Sequence, residues 1–162
     1  MDIRMIAEVF NLRINMKARE WCKLPYPDHP RGCPNYGKHI TCPPNAPLIY
    51  DYFNLDKPLY LIPVQFDLGA HIKKMLAKHP DWSERQARCV LYWQSSVNKE
   101  LKAECNIFRW KHPEMITTIC PEAMGVNVIE TARWCGFQVE TKPTKIVYKI
   151  ALAGIPHVDN LG

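Results

Sequence analysis

Three of the seven cysteines in this 162-residue chain are followed directly by proline: Cys33-Pro34, Cys42-Pro43 and Cys120-Pro121. Proline fixes φ and removes a backbone donor, so each pair holds its sulfur on a stiff, non-helical turn. Iron–sulfur ligand runs contain such pairs. Two of the three lie in one proline-rich stretch from Pro25 to Pro47, which reads as a long loop built to hold a metal or a cluster. Seven is an odd count and fits a disulfide framework poorly. The N-terminus, Met1-Asp2-Ile3-Arg4, lacks the apolar stretch of a signal peptide, and no apolar run approaches the length of a membrane span. The expectation is a cytoplasmic protein, without a membrane segment, in a compartment where cysteine serves metal or redox chemistry.

The cysteines sort by their surroundings. Cys22, Cys33, Cys42 and Cys120 lie in or beside irregular backbone and are the candidate ligands. Ten residues separate the first two and eight the next two, which is not the short Cys-x-x-Cys spacing of ferredoxins or zinc ribbons. The prolines stiffen the loop and reduce the entropy lost in closing it, so long gaps can still converge. Cys89, Cys105 and Cys135 fall in predicted helix interiors or ends and read as small core hydrophobes. Pro121 suits the first position of a helix, which places Cys120 at its N-cap. A thiol there meets the positive end of the helix dipole, so its pKa is expected to fall toward the metal-binding thiolate.

These residues need elements to carry them. A single domain over 1–162 is expected, of α/β or α+β class, with a small mixed sheet packed by helices and a Cys/Pro-rich loop over 22–47. The first twenty residues are ambiguous: Ile3, Ile6, Ala7 and Phe10 have helical spacing, while Phe10, Leu12 and Ile14 alternate as in a strand. Leu59 to Phe66 reads as a buried strand, with Pro63 marking an edge or bulge. A short helix over 70–78 follows. Asp81 as N-cap with Glu84 three residues on predicts a long helix over 81–107, its apolar face carrying Val90, Val97, Leu101, Cys105 and Phe108. A helix over 120–136 ends at Gly136, Phe137 to Glu140 alternates as a short strand, and a strand runs over 145–153. The net charge of +5 permits an anionic partner without demanding one.

Two stretches together resemble a known family. Cys33-Pro34-Asn35-Tyr36-Gly37 with Cys42-Pro43-Pro44-Asn45 is similar to a paired motif of the predicted metal-binding proteins classed as domain of unknown function 2284, and Cys22 matches a further upstream cysteine. His112-Pro113-Glu114, then Glu122-Ala123-Met124-Gly125-Val126-Asn127-Val128, resembles that family's second conserved region and stands in the same order. Where members carry another group of closely spaced cysteines before His-Pro-Glu, this chain has Cys105 alone, and the gap from Cys22 to Cys33 is longer. The resemblance therefore implies a shortened, divergent relative with one metal centre, and no particular reaction.

Two functional classes follow. In the first, Cys22, Cys33 and Cys42 hold three irons of a 4Fe–4S cluster, and Cys120 or a non-protein ligand takes the fourth. A closed cluster suits electron transfer with a redox partner; an open iron suits a small sulfur-containing substrate. Backbone N–H groups of the Asn35-Tyr36-Gly37 turn are expected to donate to cluster sulfurs. In the second, the same cysteines, or three with His29 or His39, close a tetrahedral zinc site. That zinc-stabilised module would meet nucleic acid through Arg31, Lys38, Trp82 and Arg85. A cysteine nucleophile at Cys120 finds no base placed near it by the sequence.

Overall fold

A computed structural model describes residues 6–25, 30–33 and 36–158. In chain order its elements are β1 (Ala7–Glu8), a 3-10 helix over Met16–Lys23, α1 (Ile49–Tyr52), β2 (Leu59–Asp67), α2 (Leu68–Lys78), α3 (Glu84–Ala87), a 3-10 turn over Val90–Tyr92, α4 (Gln94–Lys111), β3 (Ile116–Thr118), a 3-10 turn over Pro121–Met124, α5 (Val128–Trp134) and β4 (Ile146–Gly154).

The apolar run of β2 pairs along its whole length with β4, from Leu59 opposite Gly154 to Asp67 opposite Ile146. The sheet order is β1-β2-β4-β3 and every pairing is antiparallel. The fold is therefore α+β, and the expected mixed sheet is corrected. Patterning marks strands but is silent on direction, which depends on the end of the sheet to which each connection returns.

Successive side chains alternate between faces. Leu59, Leu61, Ile150 and Leu152 enter one core with Ile49, Phe53, Met124, Val126 and Ala132. Ile62, Val64, Ala151 and Ala153 enter the other, against Val97, Leu101, Cys105 and Phe108 of α4. Because both faces are covered, β2 reads as a continuous apolar run rather than an alternating one. Each such side chain contributes about 1.5–3 kcal/mol on full burial.

The expected edge strand or bulge at Pro63 is corrected: β2 lies inside the sheet and its register with β4 runs unbroken through Pro63. The Leu59 carbonyl accepts from Val9 N–H on the β1 side, so the alternation turns the Pro63 nitrogen to that same side. β1 pairs only with Tyr60 and Leu61, and the missing donor falls beyond that pairing.

The helix expected over 81–107 is broken into three pieces. The cap is Ser83, not Asp81: its hydroxyl accepts from Gln86 N–H while the Gln86 side chain accepts from Ser83 N–H. α3 stops at Ala87, and α4 starts only at Gln94. An aromatic stack of His79, Trp82 and Tyr92, with Trp93 stacked on Phe66, packs across the interruption.

The helix expected over 120–136 is also divided. Gly125 takes φ +97°, and Asn127 opens α5 as a fresh N-cap by accepting from Glu130 N–H. Gly136 is the stop, at φ +91°. Residues 137–140 form no strand; the Val139 carbonyl is bound by the Arg133 guanidinium in place of a strand partner. Near the N-terminus the helical spacing is not realised. β1, a bridge from Ile14 to Val126 and the 3-10 helix take its place.

Candidate functional site

Cys22 lies on the 3-10 helix rather than in the loop, and the irregular chain begins after Lys23. Asn15 caps this helix by accepting from Lys17 N–H. Cys33 is tied directly to it: Cys33 N–H donates to the Cys22 carbonyl at 2.6 Å. The approach requires glycine at position 32. Gly32 has φ +82°, and a Cβ there would overlap the Cys22 carbonyl and the Lys23 backbone.

Cys42 stands on a turn in which its N–H donates to the His39 carbonyl, while its own carbonyl accepts from Ala46 N–H at 2.8 Å. Asn45 binds the two cysteine motifs together. Its amide donates to the Gly37 carbonyl at 3.0 Å and the His39 carbonyl at 3.3 Å. Gly37, at φ +74°, supplies the left-handed turn this needs. Tyr36 N–H donates to the Cys33 carbonyl, so it is committed to the loop and not to a cluster sulfur as expected. The Tyr36 ring lies 4.9 Å from the Lys23 ammonium.

Arg19, one turn before Cys22, holds the three ligand segments in place. Its Nε donates to the Ala123 carbonyl at 2.9 Å, and Nη2 donates to Pro44 and Ala46 carbonyls at 3.1 and 3.0 Å. One guanidinium thus links the Cys22 helix, the Cys42 turn and the turn that follows Cys120. A planar fork of fixed donors suits this task; an ammonium does not. Arg19 sits in the stretch whose pattern was ambiguous, and no local signal marks it.

The four candidate cysteines converge electrostatically. Burial pushes the Cys22 thiol up, and charge on Cys33, Glu122, Cys42 and Cys120 pushes it further in the same direction. Cys120 is also raised, first by burial and then by Glu122 and Cys42, with Lys149 and Lys102 opposing. The expected fall in the Cys120 pKa is therefore corrected. Its helix is a single 3-10 turn of four residues, too short to offset desolvation with a dipole. Burial also raises Glu122, against the pull of Lys149.

The two stretches that carry the resemblance meet here. Glu122 bears on Cys22 and Cys120, the Ala123 carbonyl receives Arg19, and Gly125 packs its open face on the Met16 side chain. His112-Pro113-Glu114 instead ends α4, with the His112 ring 4.5 Å from that of Phe108.

All seven cysteines are free thiols. Cys89 and Cys105 are core residues, 2% and 3% exposed, and Cys135 is half-buried beside the first core. His39 is exposed, and His29 lies outside the described residues. Among the described residues, no group of three or more His, Cys, Asp or Glu side chains is arranged to hold a metal ion. The thiols are within electrostatic reach of one another but not closed around a common point. Trp82, expected on a nucleic-acid face, has its ring stacked on His79 at 4.1 Å.

Beside Cys120 a cavity of about 540 Å³ opens between α4, β3 and the cysteine loop. Its wall includes Tyr52, Lys102, Asn106, Arg109 and Thr118, none of which the sequence marked. Among the described residues, no helix is long and apolar enough to cross a membrane. Compared with known proteins, the chain matches no family model, no curated protein and no solved structure.

Proposed function

We propose that the chain is an iron–sulfur protein in which Cys22, Cys33 and Cys42 hold three irons of a 4Fe–4S cluster and Cys120 stands at the fourth. One observation carries this reading: the Cys33–Cys22 backbone hydrogen bond and the Arg19 guanidinium tie together the segments of Cys22, Cys33, Cys42 and Cys120, although the four are scattered over 99 positions of sequence. Thiolate is the ligand form, so thiol protons would be released as the metal enters. Negative charge on Glu122 opposes ionisation of both Cys22 and Cys120, a charge pattern that positive iron would relieve.

The donor set favours a cluster over a single zinc. Four thiolates on one ion, each about 2.3 Å away, must lie within roughly 4 Å of one another. A cluster takes one thiolate per iron and so accepts a wider spread of its ligands. When bound, such a cluster supplies one-electron transfer and, at an iron without a protein ligand, binding of a sulfur atom. The chain's own residues position the ligands, through Arg19, Asn45 and Gly32. Seven free thiols suit a reducing compartment such as the cytoplasm. The partner is a redox protein or a small sulfur compound.

Purification without oxygen tests this. The expected product is brown, with broad visible absorption, and holds on the order of four irons and four sulfides per chain. A colourless protein with one zinc would overturn the reading in favour of the zinc module. Cys120→Ala then separates the two forms of the cluster, since loss of iron makes Cys120 a ligand and retention makes the fourth iron open.

A further inference from the structure

The cavity beside Cys120 has a charge pattern of its own. Lys102, Asn106 and Arg109 stand at i, i+4 and i+7 on α4 and so share one stripe facing it. The Arg109 guanidinium donates to the Asn106 side chain, which draws it back toward Lys102. Across from them, the Tyr52 hydroxyl donates to the Thr117 carbonyl at 2.8 Å and fixes the opposite wall. Cys120 and Met124 close the end nearest the thiols.

Two cations therefore face a largely apolar cavity whose described lining contains no carboxylate. A volume of about 540 Å³ takes a metabolite-sized ligand and excludes a folded partner. Guanidinium and ammonium groups at a cavity wall recognise an anionic group through charge-assisted hydrogen bonds. Lys102, Arg109 and Cys120 line the same cavity, so a ligand held on the cationic stripe can reach toward that sulfur.

We infer that this cavity binds a small organic anion bearing sulfur, its anionic group on Lys102 and Arg109 and its sulfur turned toward Cys120. Recognition of the anion stands on the cavity alone; delivery of the sulfur to iron rests on the iron–sulfur reading above.

The probe is 3-mercaptopropionate, titrated into the full chain and followed by calorimetry, with uncharged 2-mercaptoethanol as control and iron measured on the same samples. Lys102 and Arg109 are exposed, so Lys102→Gln and Arg109→Gln are expected to fold as the parent does. Each is expected to weaken 3-mercaptopropionate about tenfold, as loss of one charge-assisted bond does, and 2-mercaptoethanol is expected to bind far more weakly than the acid. Equal affinity in parent and variants, equal binding of the uncharged thiol, or no binding at all would each overturn the inference. Charge-dependent binding to an iron-free protein would sink the iron–sulfur reading and leave the anion site standing. An iron-loaded protein without charge-dependent binding does the reverse.

Discussion

Arg19→Met is the substitution that most directly tests how the site is assembled. It keeps the length and apolar stem of the side chain and removes its donors. Three backbone carbonyls then lose a partner: Ala123, Pro44 and Ala46. A net hydrogen bond contributes about 0.5–1.5 kcal/mol, more when the donor is charged. The Pro44 contact is exposed and is discounted for solvent. The other two are part-buried, which brings the expected loss to about 2–3 kcal/mol. In a domain of this size each kcal/mol moves Tm by roughly 2–4 °C, so thermal denaturation followed by circular dichroism is expected to show a fall of about 4–12 °C. Iron content should fall with it, because the three segments that carry Cys22, Cys42 and Cys120 lose their common tie. Arg19→Lys restores charge without the fork and should recover little of either. A surface arginine without this role would cost less than about 0.5 kcal/mol. A Tm and iron content unchanged in Arg19→Met would refute the argument that this guanidinium assembles the ligand segments.

Two further outcomes follow from single residues. Gly32→Ala forces a Cβ onto the Cys22 carbonyl at a left-handed φ, so it should lower Tm and abolish metal retention, while Gly136→Ala, which meets open space at a similar φ, should cost only about 1 kcal/mol and leave metal content intact; equal metal loss in both would defeat the distinction. Burial raises the Glu122 pKa above its unfolded value of 4.5, so its contribution is fully present below about pH 4.5 and is lost as pH rises through the folded pKa. Glu122→Gln in the metal-free protein should therefore raise Tm at pH 8 relative to the parent and lose that advantage near pH 4; a gain independent of pH would contradict the burial of this carboxyl.

How much of this was legible follows the range of each interaction. The strands over Leu59–Asp67 and Ile146–Gly154 and the buried face of α4 are written in local apolar periodicity, and the structure realises them. The division of the 81–107 helix was not legible, because two overlapping caps compete there. Ser83 with Gln86 prevails over Asp81 with Glu84, and the stacking of His79, Trp82 and Tyr92 decides the matter through tertiary contact. Gly125, inside the stretch whose pattern predicts a helix, takes a positive φ, and Met16, more than a hundred positions away, fills the space a Cβ there would need. At the site, the separation of Cys22, Cys33, Cys42 and Cys120 from the core cysteines rests on local cues: proline, loop composition and apolar face. Cys89 and Cys105 are in the core as that sorting expects. The residues that bring the four together were invisible, because Arg19 and Asn45 act on backbone carbonyls. A carbonyl belongs to every residue and leaves no mark on the sequence.

Cys120 shows what changes when position replaces pattern. As the N-cap of a long helix it would be a thiolate by virtue of the dipole, and reactivity would follow from its own backbone. As the N-cap of one 3-10 turn it has no such support, and burial holds its proton on. Its chemistry then depends on what surrounds it. On one side Glu122 and Cys42 oppose its ionisation; on the other Lys149, and to a lesser degree Lys102 on the cavity wall, favour it. A thiol in that balance ionises when positive charge arrives, and the iron of the proposed cluster would supply it from the first side. A bound anion on Lys102 weakens the support from the second. If the proposed cluster and anion are both bound, ligation by Cys120 and occupancy of the cavity would thereby be opposed, and the anion would favour releasing Cys120 from the fourth iron, the step that would turn a closed electron carrier into an open site for sulfur.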